Sequence, residues 1–184
     1  ISEGLHDLAL SAFDRAITKN PAQSVSRPMR STEILAARGG LLQAKALLAH
    51  VKSNWNESLN DVDKRKLLKL QARLAMSSGA GDDETAAALE EVIQLDPLDG
   101  EALMLLGQHY NRSGKPDRSI LYYERAARID AFAANAKVKI AQVYVGQSRF
   151  SEALPLLREA QSLKPREDIA RYIEQVERAS KSKR

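Results

Sequence analysis

The chain has 184 residues, 43% hydrophobic and 28% charged, enough apolar material for one domain or one continuous array. Its 28 basic and 24 acidic side chains are interspersed and leave a formal charge of only +4, so no concentrated basic face marks a nucleic-acid or membrane surface. Cysteine is absent, which excludes disulfides, thiol catalysis and cysteine-ligated zinc and leaves the compartment open, cytoplasmic or exported. No stretch approaches the about 18 apolar residues that span a membrane, and no signal peptide is present. The sequence starts at Ile1 rather than Met, so the missing targeting segment decides nothing about location.

Apolar residues recur at three- and four-residue intervals, strand signals are poor, and glycines and prolines fall between the periodic segments. This predicts an all-α chain with short connections. Residues 1–23 read as one helix carrying Ala9, Phe13 and Ala16 and closed by Pro21. Residues 24–58 contain Gly39 followed by Ala44, Leu48 and Val51, with Asn56 where a closing proline would stand. In 59–99, Asn60 or Asp61 caps a helix over Val62–Ser78, a second helix covers Glu84–Leu95, and Asp96-Pro97 ends the unit.

Residues 100–133 and 134–167 then match position for position at an offset of 34. Leu106, Gly107 and Tyr110 correspond to Ile140, Ala141 and Tyr144; Ser119, Tyr123 and Ala126 correspond to Ala153, Leu157 and Ala160. The small residues allow two helices to approach, and the large ones fill the groove between hairpins. Gly114 falls at the turn between the helices, where a positive φ costs glycine little. Closing positions run 21, 56, 97, 131 and 165, so the spacing of 41 before Pro97 predicts a hairpin lengthened by about two helical turns. Finally, 168–184 holds a charged helix with Ile169, Tyr172, Ile173 and Val176 on one stripe, followed by a basic tail.

This pattern of Leu-Gly, Tyr, small, aromatic, small and closing Pro resembles the tetratricopeptide repeat. The resemblance covers nearly the whole chain and is most specific over 84–167. It implies a right-handed superhelical stack of antiparallel helical hairpins, an α-solenoid, ending in a C-terminal capping helix. The chain opens on a second helix without its first, which suggests a segment of a longer array or a missing cap.

Catalytic signals are lacking. His6, His50 and His109 stand apart, and no H-E-x-x-H, G-x-S-x-G, P-loop or dinucleotide fingerprint occurs. Gly79-Ala80-Gly81-Asp82-Asp83 lacks the Lys-Ser/Thr of a phosphate loop and the spaced carboxylates of a calcium loop, so it reads as a turn. Trp55, the one tryptophan, reads as a plug at a hairpin junction. No enzyme activity, metal or cofactor is expected.

What the resemblance does imply is a binding face. In tetratricopeptide folds the first helices line the concave side. The matching positions are Glu101, Met104, Gln108, Asn111 and Arg112, then Asn135, Val138, Gln142 and Val145. Amides bond both donors and acceptors of an extended backbone, and Met and Val accept apolar side chains. The expected partner is a protein or peptide held by a rigid scaffold inside a larger assembly. The clamp that family members use for chaperone C-terminal carboxylates needs Lys and Asn where this chain has Met104 and Gln108, so that clamp is not expected. Two alternatives are a self-assembling module, in which Leu8, Phe13 and Ile17 of the open first helix dock on another copy, and an RNA-reading helical repeat. The 34-residue period and a groove with Arg112 as its strong cation argue against RNA.

Overall fold

The computed structural model describes residues 11, 15, 18, 26–38, 40–55, 59–77 and 83–182. Among these residues there are nine helices and no strand: α1 (Ser26–Ala37), α2 (Leu41–Trp55), α3 (Asp61–Ser77), α4 (Asp83–Leu95), α5 (Gly100–Arg112), α6 (Pro116–Ala127), α7 (Asp130–Gly146), α8 (Phe150–Leu163) and α9 (Glu167–Ser182). The all-α architecture expected from the periodicity is therefore the one found. Ala9, Phe13, Ala16, Pro21, Gly39, Asn56, the 79–82 turn and the first-helix residues Leu8 and Ile17 lie outside the described residues, as does His6. So does the Trp55 side chain. The helices fall into two compact units, divided between Leu95 and Asp96.

In the first unit α1 packs on α2, and α3 packs on α2, α4 and α1. Its core joins Met29 of α1, Ala44, Leu48 and Val51 of α2, and Leu67, Leu70 and Leu74 of α3. Asn60 is the cap of α3: its Oδ1 accepts from the Asp63 amide at 2.9 Å, and its Nδ2 donates to the Asp63 carboxylate at 3.0 Å. The first of these bonds occupies an amide donor that the first helical turn leaves open. Helix α3 has 17 residues, as many as α7 and four more than α5. Lys64 Nζ lies 2.6 Å from Glu91 and ties α3 to α4; that bond holds the ammonium above its ordinary range.

The second unit is built on the 34-residue correspondence. Leu106, Tyr123, Ala126, Ile140, Ala141, Leu157 and Ala160 are all buried, as their periodic positions predict. The two hairpins solve the same packing problem differently. A Cβ at Gly107 would overlap the Tyr123 ring, so the ring takes the space a side chain there would need. The next hairpin has Ala141 with the smaller Leu157 at the matching positions. Ser119 adds a buried bond, its Oγ donating to the Gly107 carbonyl at 2.7 Å. Burial pushes the Tyr123 phenol up to about 12, against weaker opposing effects of Ser119 and Arg112.

That shift has a testable consequence. With its folded pKa above the ordinary value near 10, Tyr123 keeps its proton in the native state while the unfolded chain loses it. Its contribution to stability is complete below pH 10 and is lost between pH 10 and 12, at about 1.4 kcal/mol per pH unit. Denaturant titrations across this window should show a shallower alkaline fall for Tyr123→Phe than for the native chain. Identical slopes would mean that the phenol is solvated.

Both hairpin turns end their first helix in the same way. Lys115 N donates to Tyr110 O at 2.8 Å, Arg149 N donates to Tyr144 O at 2.8 Å, and the residue before each takes a positive φ. That residue is Gly114 at φ 68, as expected, but Ser148 at φ 61 in the second turn. A left-handed conformation costs a side-chain-bearing residue about 1–2 kcal/mol. Ser148→Gly should accordingly stabilise the protein by about 0.5–1 kcal/mol in urea unfolding, after allowing for the greater freedom of glycine in the unfolded chain. A loss of stability would show that the serine side chain repays its strain.

The starts of the first helices differ too. Asp99 caps α5, its Oδ1 accepting from the Ala102 amide at 3.0 Å, just after Asp96-Pro97. At the closing position of the next repeat stands Ala131; a proline there would push Asp130, the residue before it, out of the helical region. Helix α7 therefore begins at Asp130, with only two residues between it and α6.

Candidate functional site

The residues assigned to a binding face in the second unit occupy two helices that pack together, α5 and α7. On α5, positions 101, 104, 108 and 111 recur at three- and four-residue steps and form one stripe. Glu101, Met104 and Gln108 are half-buried, while Asn111 and Arg112 are exposed at the end of the helix. Met104 is used structurally: it packs against the buried cluster of Ile120, Tyr123, Ile140 and Val143. Val138 and Val145 of α7 are half-buried against the cluster of Ala141, Ala153, Leu157 and Val176. Asn135 and Gln142 are exposed but not idle. Asn135 Oδ1 accepts from Arg166 Nη1 at 3.0 Å, and Gln142 Oε1 accepts from Lys139 Nζ at 3.2 Å.

One part of this face is concave at the scale of a ligand. Val138 and Gln142 line a cleft of about 330 Å³ whose other wall is α9, through Asp168, Ile169, Arg171, Tyr172 and Gln175. The cause lies in the sequence of α9. Ile169, Tyr172, Ile173 and Val176 repeat the spacing of Lys137, Ile140, Ala141 and Tyr144, so α9 packs on α8 much as the first helix of a further repeat would. Between α5 and α7 the notch is filled by Met104 and Val143. At the matching places between α7 and α9 stand Val138 and Gln175. The valine is shorter than methionine, Gln175 is exposed, and space remains. The charged composition of α9 points to a capping helix and does not reveal this wall. Its apolar stripe, spaced like that of a first helix, was the available signal.

Helix α9 is held by a clasp centred on Arg166. The guanidinium forks onto Asp168, with Nη2–Oδ2 at 2.6 Å and Nε–Oδ1 at 3.0 Å, and reaches Asn135 of α7. The Arg166 amide donates to Gln161 Oε1 of α8 at 3.0 Å. Hydrogen bonding to Arg166 holds the Asp168 carboxyl below its ordinary range, and the arginine is raised in turn. Burial pushes the Tyr172 phenol up. A second link runs from Arg158 Nη2 of α8 to Glu177 of α9 at 2.7 Å.

His109 is buried at 2% exposure beside the Tyr110 ring, 5.1 Å between centroids and edge-on, while His50 shares a 3.3 Å contact with Asn54. These two histidines belong to different units. Among the described residues no group of three or more His, Asp or Glu is arranged to hold a metal ion, and no helix is long and apolar enough to cross a membrane.

Comparison with known proteins agrees with this geometry. Residues 71–134 match the family model of the tetratricopeptide repeat. Among solved structures, the chain is similar to MamA, at 19% identity over 89% of this chain and 91% of that one, with a TM-score of 0.67. It is also similar to YrrB, described as a tetratricopeptide protein with an unusual peptide-binding site, at 15% identity over 95% and 86% of the two chains and a TM-score of 0.69. The thermophilic tetratricopeptide protein TTC0263 of Thermus thermophilus gives 17% identity, 94% and 91% coverage and a TM-score of 0.62. At these identities the likeness is one of fold. No curated protein matches the sequence significantly. The fold is that of tetratricopeptide-type helical repeats, and residues 71–134 match the repeat itself. Such folds are scaffolds typical of protein–protein interaction.

Proposed function

We propose that this chain is a protein- or peptide-binding scaffold, one segment of a multiprotein assembly, whose ligand lies along the first-helix face of the second unit. The observation that carries this reading is the cleft between α7 and α9, which Val138 and Gln142, two of the expected face positions, line together with Ile169 and Tyr172. The face combines amides at Gln108, Asn111 and Gln142 with half-buried Met104 and Val138, so it offers backbone hydrogen bonding and apolar contact along one line. The scaffold would act by pre-organisation: side chains already fixed by packing lose little further freedom when a partner binds.

The test is a peptide-display selection against the intact chain, followed by binding to Gln108→Ala/Asn111→Ala/Gln142→Ala with its unfolding curve matched to the parent. Selected peptides should bind the triple variant at least about tenfold more weakly, roughly 1.4 kcal/mol. Peptides bound equally by both proteins would move the site off this face.

A further inference from the structure

We infer that the cleft between α7 and α9 is an acidic-peptide subsite, in which Arg171 binds a glutamate or aspartate side chain while Val138, Ile169 and Tyr172 receive the apolar side chain next to it. This deepens the reading above and rests on it. Five other cations on and around α9 are already engaged. Arg158 pairs with Glu177, Arg166 with Asp168 and Asn135, Arg178 with Glu174, Lys137 with Glu159, and Lys139 with Gln142. Among the described residues, the Arg171 guanidinium has no ion-pair or hydrogen-bond partner, although it lines the cleft.

The anions nearby do not cancel it. Asp168 shares the cleft wall, but its two oxygens are held by the Arg166 fork at 2.6 and 3.0 Å. Glu174 accepts from Arg178 at 3.2 Å. Glu167 stands four positions before Arg171, a spacing that permits pairing on a helix, yet no ion pair joins them among the described residues. The cleft therefore presents one uncompensated guanidinium, whose planar fork matches a carboxylate. Behind it lies an apolar floor formed by buried Ile169 and half-buried Val138 and Tyr172. Gln142 and Gln175 at the same site each carry a donor pair and an acceptor, the inventory an extended backbone needs. At about 330 Å³ the space sits at the small end of ligand sites and suits a few residues rather than a folded surface. The repeats lack a carboxylate-binding lysine at Met104; the terminal helix supplies a cation by another route.

The probes are three capped, amidated hexapeptides that alternate leucine with glutamate, glutamine or lysine. Each is titrated into the intact chain by NMR, following the Val138 and Ile169 methyls, the Gln142 and Gln175 side-chain amides and the Arg171 Nε–H. The glutamate peptide should perturb these signals and bind at least about fivefold more tightly than the glutamine peptide, with the lysine peptide weakest. Arg171→Gln should abolish the glutamate preference and leave glutamine-peptide binding unchanged. Salt should weaken only the glutamate peptide toward the glutamine value. Equal binding of the glutamate and glutamine peptides, or a preference that survives Arg171→Gln, would overturn the subsite. So would the absence of any shift at the cleft. Perturbation confined to Gln108 and Asn111 would likewise overturn it while sparing the wider groove. The groove itself stands or falls on the display selection with the triple variant.

Discussion

Gly107→Ala is expected to lose about 2 kcal/mol of stability in denaturant titration, although alanine is the better helix former. The two effects are opposed. Replacing a helical glycine gains up to about 1 kcal/mol of propensity. Against it, the added methyl would overlap the Tyr123 ring, which is 2% exposed and backed by the α5–α6 packing, and overfilling a tight core costs about 1–3 kcal/mol with backbone shifts on top. The steric term wins because the ring atoms would stand only 2.4–2.8 Å from the added methyl and the ring is buried. The following hairpin carries the compensating pair, Ala141 with Leu157, so Tyr123→Leu added to Gly107→Ala should recover part of the loss. A double-mutant cycle should give a favourable coupling of about 1 kcal/mol or more. A Gly107→Ala protein as stable as the parent, or strictly additive effects, would show that the ring does not depend on the glycine.

Leu157→Ala should cost about 3 kcal/mol, and its effect should concentrate at the end of the second unit. The side chain is fully buried and lies in one cluster with Ala141, Ala153 and Val176, with Tyr172 and Ile173 packed against it. Removing it loses transfer energy and leaves a cavity between α7, α8 and α9. Since α9 is joined to α8 through this cluster and a few surface bonds, hydrogen exchange of α9 amides should accelerate more than that of α5 and α6. Leu163→Ala, at 58% exposure, serves as the control and should stay within about 0.5 kcal/mol of the parent. Uniform acceleration across the unit would mean that α9 does not open separately.

The second unit was the most legible part of the sequence, for a physical reason. A hairpin stack needs small residues where helices cross and large ones between them, and that demand recurs at a fixed spacing that one chain displays twice. Gly107, Ser119, Ala126, Ala141, Ala153 and Ala160 could thus be placed without coordinates, and all are buried. Ser148 was not foreseen at a positive φ, because the rule that points to Gly114 looks for glycine, whereas here the hydrogen bonds of the turn impose the conformation on whatever residue is present. The candidate site was half legible. Repeat position identifies the exposed stripe, but it cannot tell a side chain that faces a ligand from one that fills a notch, and Met104 does the latter. The role of α9 escaped because its stripe is out of register with the 34-residue spacing, so it read as a terminus rather than a wall.

The substitution at position 131 also bears on where a protease could enter. Cleavage needs several consecutive residues drawn out straight in the enzyme's groove, and with only Arg128 and Ile129 between α6 and α7 the exposed Arg128 has no such length beside it. Cutting there requires several residues of helix to unwind first. A missing proline thus turns a joint between hairpins into a seam that stays closed for as long as the helices on both sides of it hold.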